Sequence, residues 1–261
     1  MPSFLLVVYH DRYCEVYSSN PASAPGRIES ILGELKTHFE FTEPKQASEQ
    51  DVLLVHSQDH VDNVRIHRLT YEIALLAVGG AIKAAELAME GKPAFALIRP
   101  PGHHASPSSS WGFCYFNNLA VAVEKLRVEG RVKKTVVVDV DLHYGDGTAN
   151  IFASSPQVTY FHPEGSSRQS YIDELNRFVS ARLEPCDILA VSAGFDRHEQ
   201  DWGGLLKTED YHAMGTILRE FAENKCGGRR FAVLEGGYNH SVLGRNVKAF
   251  LDSFGSAEQK H

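Results

Sequence analysis

The sequence is poor in the features that mark several common protein classes. It holds four cysteines in 261 residues, Cys14, Cys114, Cys186 and Cys226, and none of them forms a CxxC pair. Thiols this scattered argue against a disulfide framework and fit a reducing, cytoplasmic setting with all four free. No stretch approaches the roughly 20 apolar residues of a membrane-spanning helix, so no membrane partner is expected. No long run of one charge sign occurs, and the formal net charge is −7. The basic footprint of a protein that binds nucleic acid directly is therefore missing. The opening segment, MPSFLLVVYHDRYCEVY, lacks a basic leader and a small-residue cleavage site. It reads as a first strand and not as a signal peptide. With no internal repeat, low-complexity segment or composition break, one domain over residues 1–261 is the economical reading.

What the chain does have is alternation. Short apolar runs at residues 4–9, 94–98, 135–140, 158–161, 188–192 and 231–234 read as buried strands. Amphipathic stretches at about 26–37, 71–90, 117–128, 170–182, 208–224 and 241–252 read as helices between them. This order predicts an α/β fold with a mostly parallel central sheet and helices on both faces. The unusual polar clusters follow strands: RPPGHHA, DLHYGDG, AGFD and EGGYN each come after an apolar run. In open α/β sheets the site forms at the carboxyl ends of the strands, so four separate clusters point to one place.

Each cluster carries its own chemistry. Asp139, Asp141 and His143 are two residues apart, and strand periodicity starts them on one side of the chain. An Asp and a His spaced this way can reach one metal, with Asp139 supporting from behind; a solvated acidic strand end or a helix cap is the plain alternative. Asp196, after a glycine, offers a third ligand from another strand, although turn aspartates are common. Two carboxylates and one imidazole with an open position match a catalytic zinc site. Such a site balances the ion's charge, acidifies its water only moderately and calls for a nearby general base. His103 and His104 supply candidates on a rigid Pro-Pro-Gly segment, with Asp139 and Asp146 as partners that would fix their tautomers; a surface histidine pair is the alternative. Tyr238, in a glycine-rich loop, can donate to an oxyanion or simply pack.

These residues resemble a known family. RPPGHHA (99–105), WGFCYFNN (111–118), DVDLHYGDGT (139–148), SAGFD (192–196) and EGGYN (235–239) resemble, in order, the motifs of the histone deacetylase, acetylpolyamine amidohydrolase and acetoin utilization protein superfamily. Weaker likeness covers APGRIESI (24–31) and LLVHSQDHVDNV (53–64). The resemblance implies an arginase/deacetylase-like fold and hydrolysis of an acetyl amide, on acetyl-lysine in a protein or on a small acetylated amine. It implies one Zn²⁺ per chain, with Fe²⁺ as the alternative metal, on Asp141, His143 and Asp196. It pairs His103 with Asp139 and His104, the general base and acid, with Asp146. Tyr238 polarises the carbonyl, Gly112, Phe113 and Gly237 line the substrate, and Arg27 belongs to an internal channel. The family's structural K⁺ would sit near the backbone of residues 139–143, but the supporting strand VTYFH (158–162) departs from the pattern. Two rim loops are also cut back, at residues 65–70 and 163–167, and no residue stands out as a second tunnel wall. A dimanganese, arginase-like ureohydrolase and a non-catalytic acyl-lysine binding module are the rival readings, and a homo-oligomer is left open.

Overall fold

The apolar runs become strands because both of their faces are covered. The computed structural model describes residues 3–257. In chain order the elements are β1 (Ser3–Phe4), β2 (Leu6–Val8), α1 (Arg27–Leu35), β3 (Glu40–Thr42), α2 (Glu49–Val52), α3 (Gln58–Arg65), α4 (Arg68–Met89) and β4 (Ala94–Ala96). They continue with α5 (Asn118–Val128), β5 (Thr135–Asp139), α6 (Asp146–Phe152), β6 (Val158–Phe161), α7 (Arg168–Ser180), β7 (Ile188–Ala193), α8 (Thr208–Lys225), β8 (Arg230–Leu234), α9 (His240–Phe254) and β9 (Ser256–Ala257).

Seven strands form one sheet in the order β3-β2-β4-β8-β7-β5-β6, and every pairing in it is parallel. All residues of β4, β5, β7 and β8 are buried. That is why they read as continuous apolar runs and not as alternating ones. Helices α4 and α5 pack together, with α4 lying against β2, β4, β7 and β8. Helices α1, α9, α8 and α7 pack side by side as a second group. The fold is the α/β arrangement expected from the sequence.

The central four strands, β4, β8, β7 and β5, are consecutive neighbours. They are the same four that carry the polar clusters, so the sheet order itself lines those clusters up along one edge. A side-chain cap ties this edge together. Asn117 accepts from the Ala120 amide at the start of α5 and donates from Nδ2 to Ala105 O (3.2 Å) and Thr148 Oγ1 (3.0 Å). One residue thus starts a helix and joins the loop after β4 to α6.

Three expectations need correction. The first strand is split: Ser3–Phe4 pairs antiparallel with β9, and only Leu6–Val8 enters the main sheet. The four cysteines are not all free, because Cys186 and Cys226 form a disulfide. Cys186 precedes β7 and Cys226 follows α8, and the bond from Cys186 N to Lys225 O (3.0 Å) brings the two backbones together. This pairing removes the cysteine-based argument for a reducing compartment. Cys14 and Cys114 are free. Thirdly, the helix expected from residue 71 starts at Arg68, and α3 ends at Arg65, so only Ile66 and His67 connect them. Among the described residues, no helix is long and apolar enough to cross a membrane.

Candidate active site

The end of β5 turns sharply, and its carboxylates direct the turn. Asp139 Oδ1 accepts from the Asp141 amide (3.1 Å), and Asp141 Oδ1 accepts from the His143 amide (3.0 Å). Each side chain therefore holds the backbone two residues ahead, the local pattern that favours Asp in turns. Asp141 Oδ2 receives the Gly236 amide (2.8 Å) from the loop after β8, and Asp196 Oδ1 receives the Leu142 amide (3.0 Å). The result is a buried cluster in which ligand atoms of Asp141, His143 and Asp196 all lie within 4.8 Å of one another.

Two glycines make this closeness feasible. A methyl group on Gly194 would sit 2.0 Å from Asp141 Oδ2. One on Gly236 would sit 2.6 Å from Asp141 Oδ2 and from Asp196 Oδ2.

The electrostatics of the cluster point to a cation. Asp141 and Asp196 are both buried. Burial opposes the charge on Asp141, but His103 and the bonds from His143 and Gly236 hold its carboxyl well below the usual range. Burial, then the Asp141 charge, pushes Asp196 up to about 6. The adjacent carboxylates of Asp141 and Asp196 raise His143 to about 9. Asp196 Oδ2 lies 3.2 Å from His143 Nδ1 but makes no well-directed hydrogen bond to any group. A buried carboxylate oxygen without a partner is costly, and a metal ion would satisfy it. The residues present therefore fit a divalent metal. A second grouping of His103, Cys114 and Glu235 does not fit as well. Glu235 already accepts from Gly102 N (2.7 Å), His103 N (3.2 Å) and Ser192 Oγ (3.1 Å).

Both histidines stand beside this cluster. His103 Nδ1 meets Asp139 Oδ2 at 3.0 Å, and its Nε2 lies 3.7 Å from Asp141 Oδ1. Burial opposes a charge on His103, but Asp141 and Asp139 outweigh it and raise its pKa well above the ordinary value. His104 Nδ1 meets Asp146 Oδ1 at 2.6 Å. Burial and the neighbouring His103 lower His104 to about 4, against the pull of Asp146. The two rings, 4.1 Å apart, are thus driven in opposite directions. His104 is neutral near pH 7. Its Nδ1 proton faces the carboxylate and its Nε2 lone pair is left to accept.

The mouth is aromatic. A cavity of about 290 Å³ is lined by His103, His104, His143, Phe113 and Tyr238, together with Trp111, Trp202, Pro101 and Gly112. Phe113 has φ 67°, a left-handed conformation that costs a non-glycine residue about 1–2 kcal/mol. With Gly112 at φ 60°, it folds the chain back toward the cleft. Trp202 stacks on Tyr238 (4.1 Å) and meets Phe113 edge-on (6.2 Å). It supplies the wall that no sequence motif marked. Asp201 sets the corner: its Oδ2 accepts from the amides of Tyr238 and Asn239, both at 2.8 Å. Arg27 is fully buried under this loop and donates to Gly237 O (2.7 Å) and Glu235 O (2.6 Å). A larger hollow of about 630 Å³ lies near the start of β5 and β6, away from these clusters.

Sequence reasoning missed three residues here. Glu235, held near pKa 7 by burial, ties the β8 loop to the loop after β4 and to β7. Tyr160 donates to Asp139 Oδ2 (3.0 Å) and accepts from the Gly145 amide (2.8 Å). Arg197 donates to Leu142 O (2.8 Å), next to the cluster. The signal for Glu235 was its place in the EGGYN motif; the other two had none.

Comparisons with known proteins give the family. A histone deacetylase domain model matches residues 21–163 and 161–254. The chain is 32% identical to a "Probable deacetylase" of Methanothermobacter thermautotrophicus, over 87% of this chain and 83% of the relative. A "Probable deacetylase" of Archaeoglobus fulgidus is 34% identical over 89% and 81% of the two chains. A histone deacetylase-like amidohydrolase of Pseudomonas aeruginosa is 29% identical over 83% and 71%. The crystal structure of the HDA15 HD domain superposes with a TM-score of 0.81 at 25% identity, covering 98% of this chain and 91% of that one. The chain belongs to the histone deacetylase family, a family of deacetylases and amidohydrolases.

Proposed function

We infer that the protein hydrolyses the acetyl amide of an acetylated amine, with one divalent metal per chain, Zn²⁺ or alternatively Fe²⁺, held by Asp141, His143 and Asp196. The observation that carries this reading is the buried Asp196 Oδ2, without a directed hydrogen bond, in a three-ligand cluster beside a neutral His104. When bound there, such an ion supplies Lewis acidity, polarising a carbonyl and lowering the pKa of a water.

The chain's own groups do the rest. His104 Nε2 takes the proton of the water as it adds to the acetyl carbon, and Asp146 steadies the ring as it gains charge. The same nitrogen then gives the proton to the leaving amine. His103, kept charged by Asp139 and Asp141, adds positive potential next to the reacting carbonyl. Tyr238, whose pKa burial raises, stays protonated and donates to the oxyanion. Gly112, Phe113 and Trp202 line the cavity and enclose the alkyl chain, while Gly237, expected there, lies against Leu243 and Phe195 instead. Arg27 keeps one terminal nitrogen unpaired below the Gly237 loop, which supports a place on an internal path for acetate.

One three-ligand cluster with a free oxygen favours this reading over a two-metal ureohydrolase. A non-catalytic binding module would have no use for two oppositely tuned histidines. The test is turnover of a fluorogenic acetyl-lysine substrate by zinc- or iron-loaded protein, with metal counted in parallel. No turnover on any acetylated peptide or amine defeats the reading.

The strand end also bears on the K⁺ site that the sequence left open. Asp139 O accepts from His162 Nδ1 (3.1 Å), and Leu142 O from Arg197 (2.8 Å). Side-chain donors occupy the carbonyls where a structural K⁺ would lie, which supports a centre that works without one. Replacing K⁺ by choline at constant ionic strength should leave kcat/KM within about twofold. A loss of tenfold or more would show that a K⁺ is needed.

The rim should be permissive. With only Ile66 and His67 between α3 and α4, and a short turn before α7, few groups remain to hold a peptide backbone. Acetyl-lysine peptides of varied sequence should differ by about tenfold or less in kcat/KM, the factor for about 1.4 kcal/mol of contacts, and free acetylated amines should compete with them. A hundredfold preference for one peptide would overturn this.

A further inference from the structure

The chain has two tryptophans, and both stand at the mouth of the cleft. Trp202 forms a wall. Trp111 does something else, and nothing in the proposed reaction uses it. Its indole lies 3.8 Å from the His104 ring, at 32° to it. Its Nε1 donates to Asp146 Oδ2 at 2.9 Å, while the other oxygen of the same carboxylate holds His104 Nδ1 at 2.6 Å. Trp111, Asp146 and His104 therefore close a three-membered ring of contacts, two hydrogen bonds and one close, tilted ring contact. Yet Trp111 is 55% exposed. A large apolar side chain left in water and bonded to a half-exposed carboxylate is not there to fill a core.

The backbone explains how the indole gets there. Gly112 and Phe113 take consecutive left-handed conformations, which fold the segment back on itself. The turn also presses Gly112 against His104: a methyl on Gly112 would fall 2.4 Å from His104 Cδ2. His103 lies on the same imidazole at 4.1 Å. The ring is thus confined by His103, by Trp111 and by the Gly112 backbone at its edge. Its one strong polar tether is Asp146. That carboxylate sits at the first residue of the short helix α6 and is itself partly open to water. Without the indole N–H it is free to rotate, and His104 with it.

We propose that Trp111 is a positioning residue: it locks the Asp146 carboxylate with its N–H and covers His104 with its ring, so that His104 Nε2 stays aimed at the reacting atoms. The proposal rests on the deacetylase reading for its kinetic test and on geometry alone for its spectroscopic one. Fixing a general base within a few tenths of an ångström affects the chemical step more than binding. Hydrogen bonds from Trp111 and His104, set against burial, also hold the Asp146 carboxyl below its usual range, so the carboxylate stays charged opposite the imidazole.

The test uses Trp111→Phe, which keeps a ring over His104 but loses the N–H, and Trp111→Ala, which loses both. In metal-loaded protein, Trp111→Phe should lower kcat by about tenfold with KM within about threefold, and Trp111→Ala should lower it further. In an Asp146→Asn background, adding Trp111→Phe should cost less than about twofold, because the carboxylate it acts through is gone. The spectroscopic readout needs no turnover. The His104 Nδ1 proton, held by the short bond to Asp146, should give a downfield, slowly exchanging NMR signal that broadens away in Trp111→Phe while metal content stays at one. Equal kcat in wild type and Trp111→Phe, or the same loss with and without Asp146, overturns the proposal. An unchanged His104 signal in Trp111→Phe overturns it as well. An inactive wild type with the signal change intact would instead overturn the deacetylase reading and leave Trp111 as the lock of the pair.

Discussion

Asp196→Ala should leave the protein without stoichiometric metal and lower kcat/KM by about 10³ or more, since one of the three proposed ligands is lost. Asp196 suits this test because its two oxygens have separate tasks. Oδ1 holds the Leu142 amide, and Oδ2 makes no hydrogen bond. Asp196→Asn keeps the shape and a carbonyl acceptor for Leu142 while removing the charge. If Asp196 only braced the turn, the Asn variant would behave like wild type. If it is a ligand, both variants should bind zinc much more weakly. Metal analysis after dialysis against a weak chelator decides between them, and full zinc occupancy in Asp196→Ala would remove Asp196 from the ligand set.

His104→Ala should behave differently: metal retained at one per chain, with kcat reduced by about 10² to 10⁴. Its Nδ1 is bonded to Asp146 and its ring lies between those of His103 and Trp111, so its loss would remove the proposed proton acceptor and no proposed ligand. The pH profile adds a sign. A base with a pKa of about 4 is unprotonated through the neutral range, so activity should fall as pH drops toward that value and not between pH 6 and 7. His103→Ala keeps this base but removes the neighbouring charge that lowers it, so the acid-side fall should remain and move to higher pH. Activity in His104→Ala within a few-fold of wild type would mean that the proton travels by another route.

The parts of the fold that were readable from sequence share a physical cause. Strands such as Thr135–Asp139 and Ile188–Ala193 are buried on both faces, so their apolar character is continuous and plain. The edge strand Glu40–Thr42 is only partly covered, and its composition says little. Helices α2 and α3 are mostly polar and only four and eight residues long, too short for a period to stand out over their length. In the site, Asp139, Asp141 and His143 were readable because a spacing of two survives from strand to turn. The structure brings them together with Asp196, His103, His104 and Tyr238. Trp202, Tyr160 and Arg197 act through contacts that no local spacing encodes: Trp202 meets Phe113 from 89 positions away in the chain. The Cys186–Cys226 bond stayed hidden for the same reason, its ends being 40 positions apart.

Gly194 and Gly236 have a consequence for the history of such a protein. The Asp141 carboxylate is wedged so closely against both that the smallest side chain, at either point, would strike it. No gradual path leads through those positions, because the first step already displaces a buried acid. The connector of Ile66 and His67 is the opposite case: both residues are exposed, and insertions there disturb no core. Variation is thereby sorted by depth. The entrance can be lengthened, shortened or recharged without touching the floor, whose close contacts hold it fixed beneath.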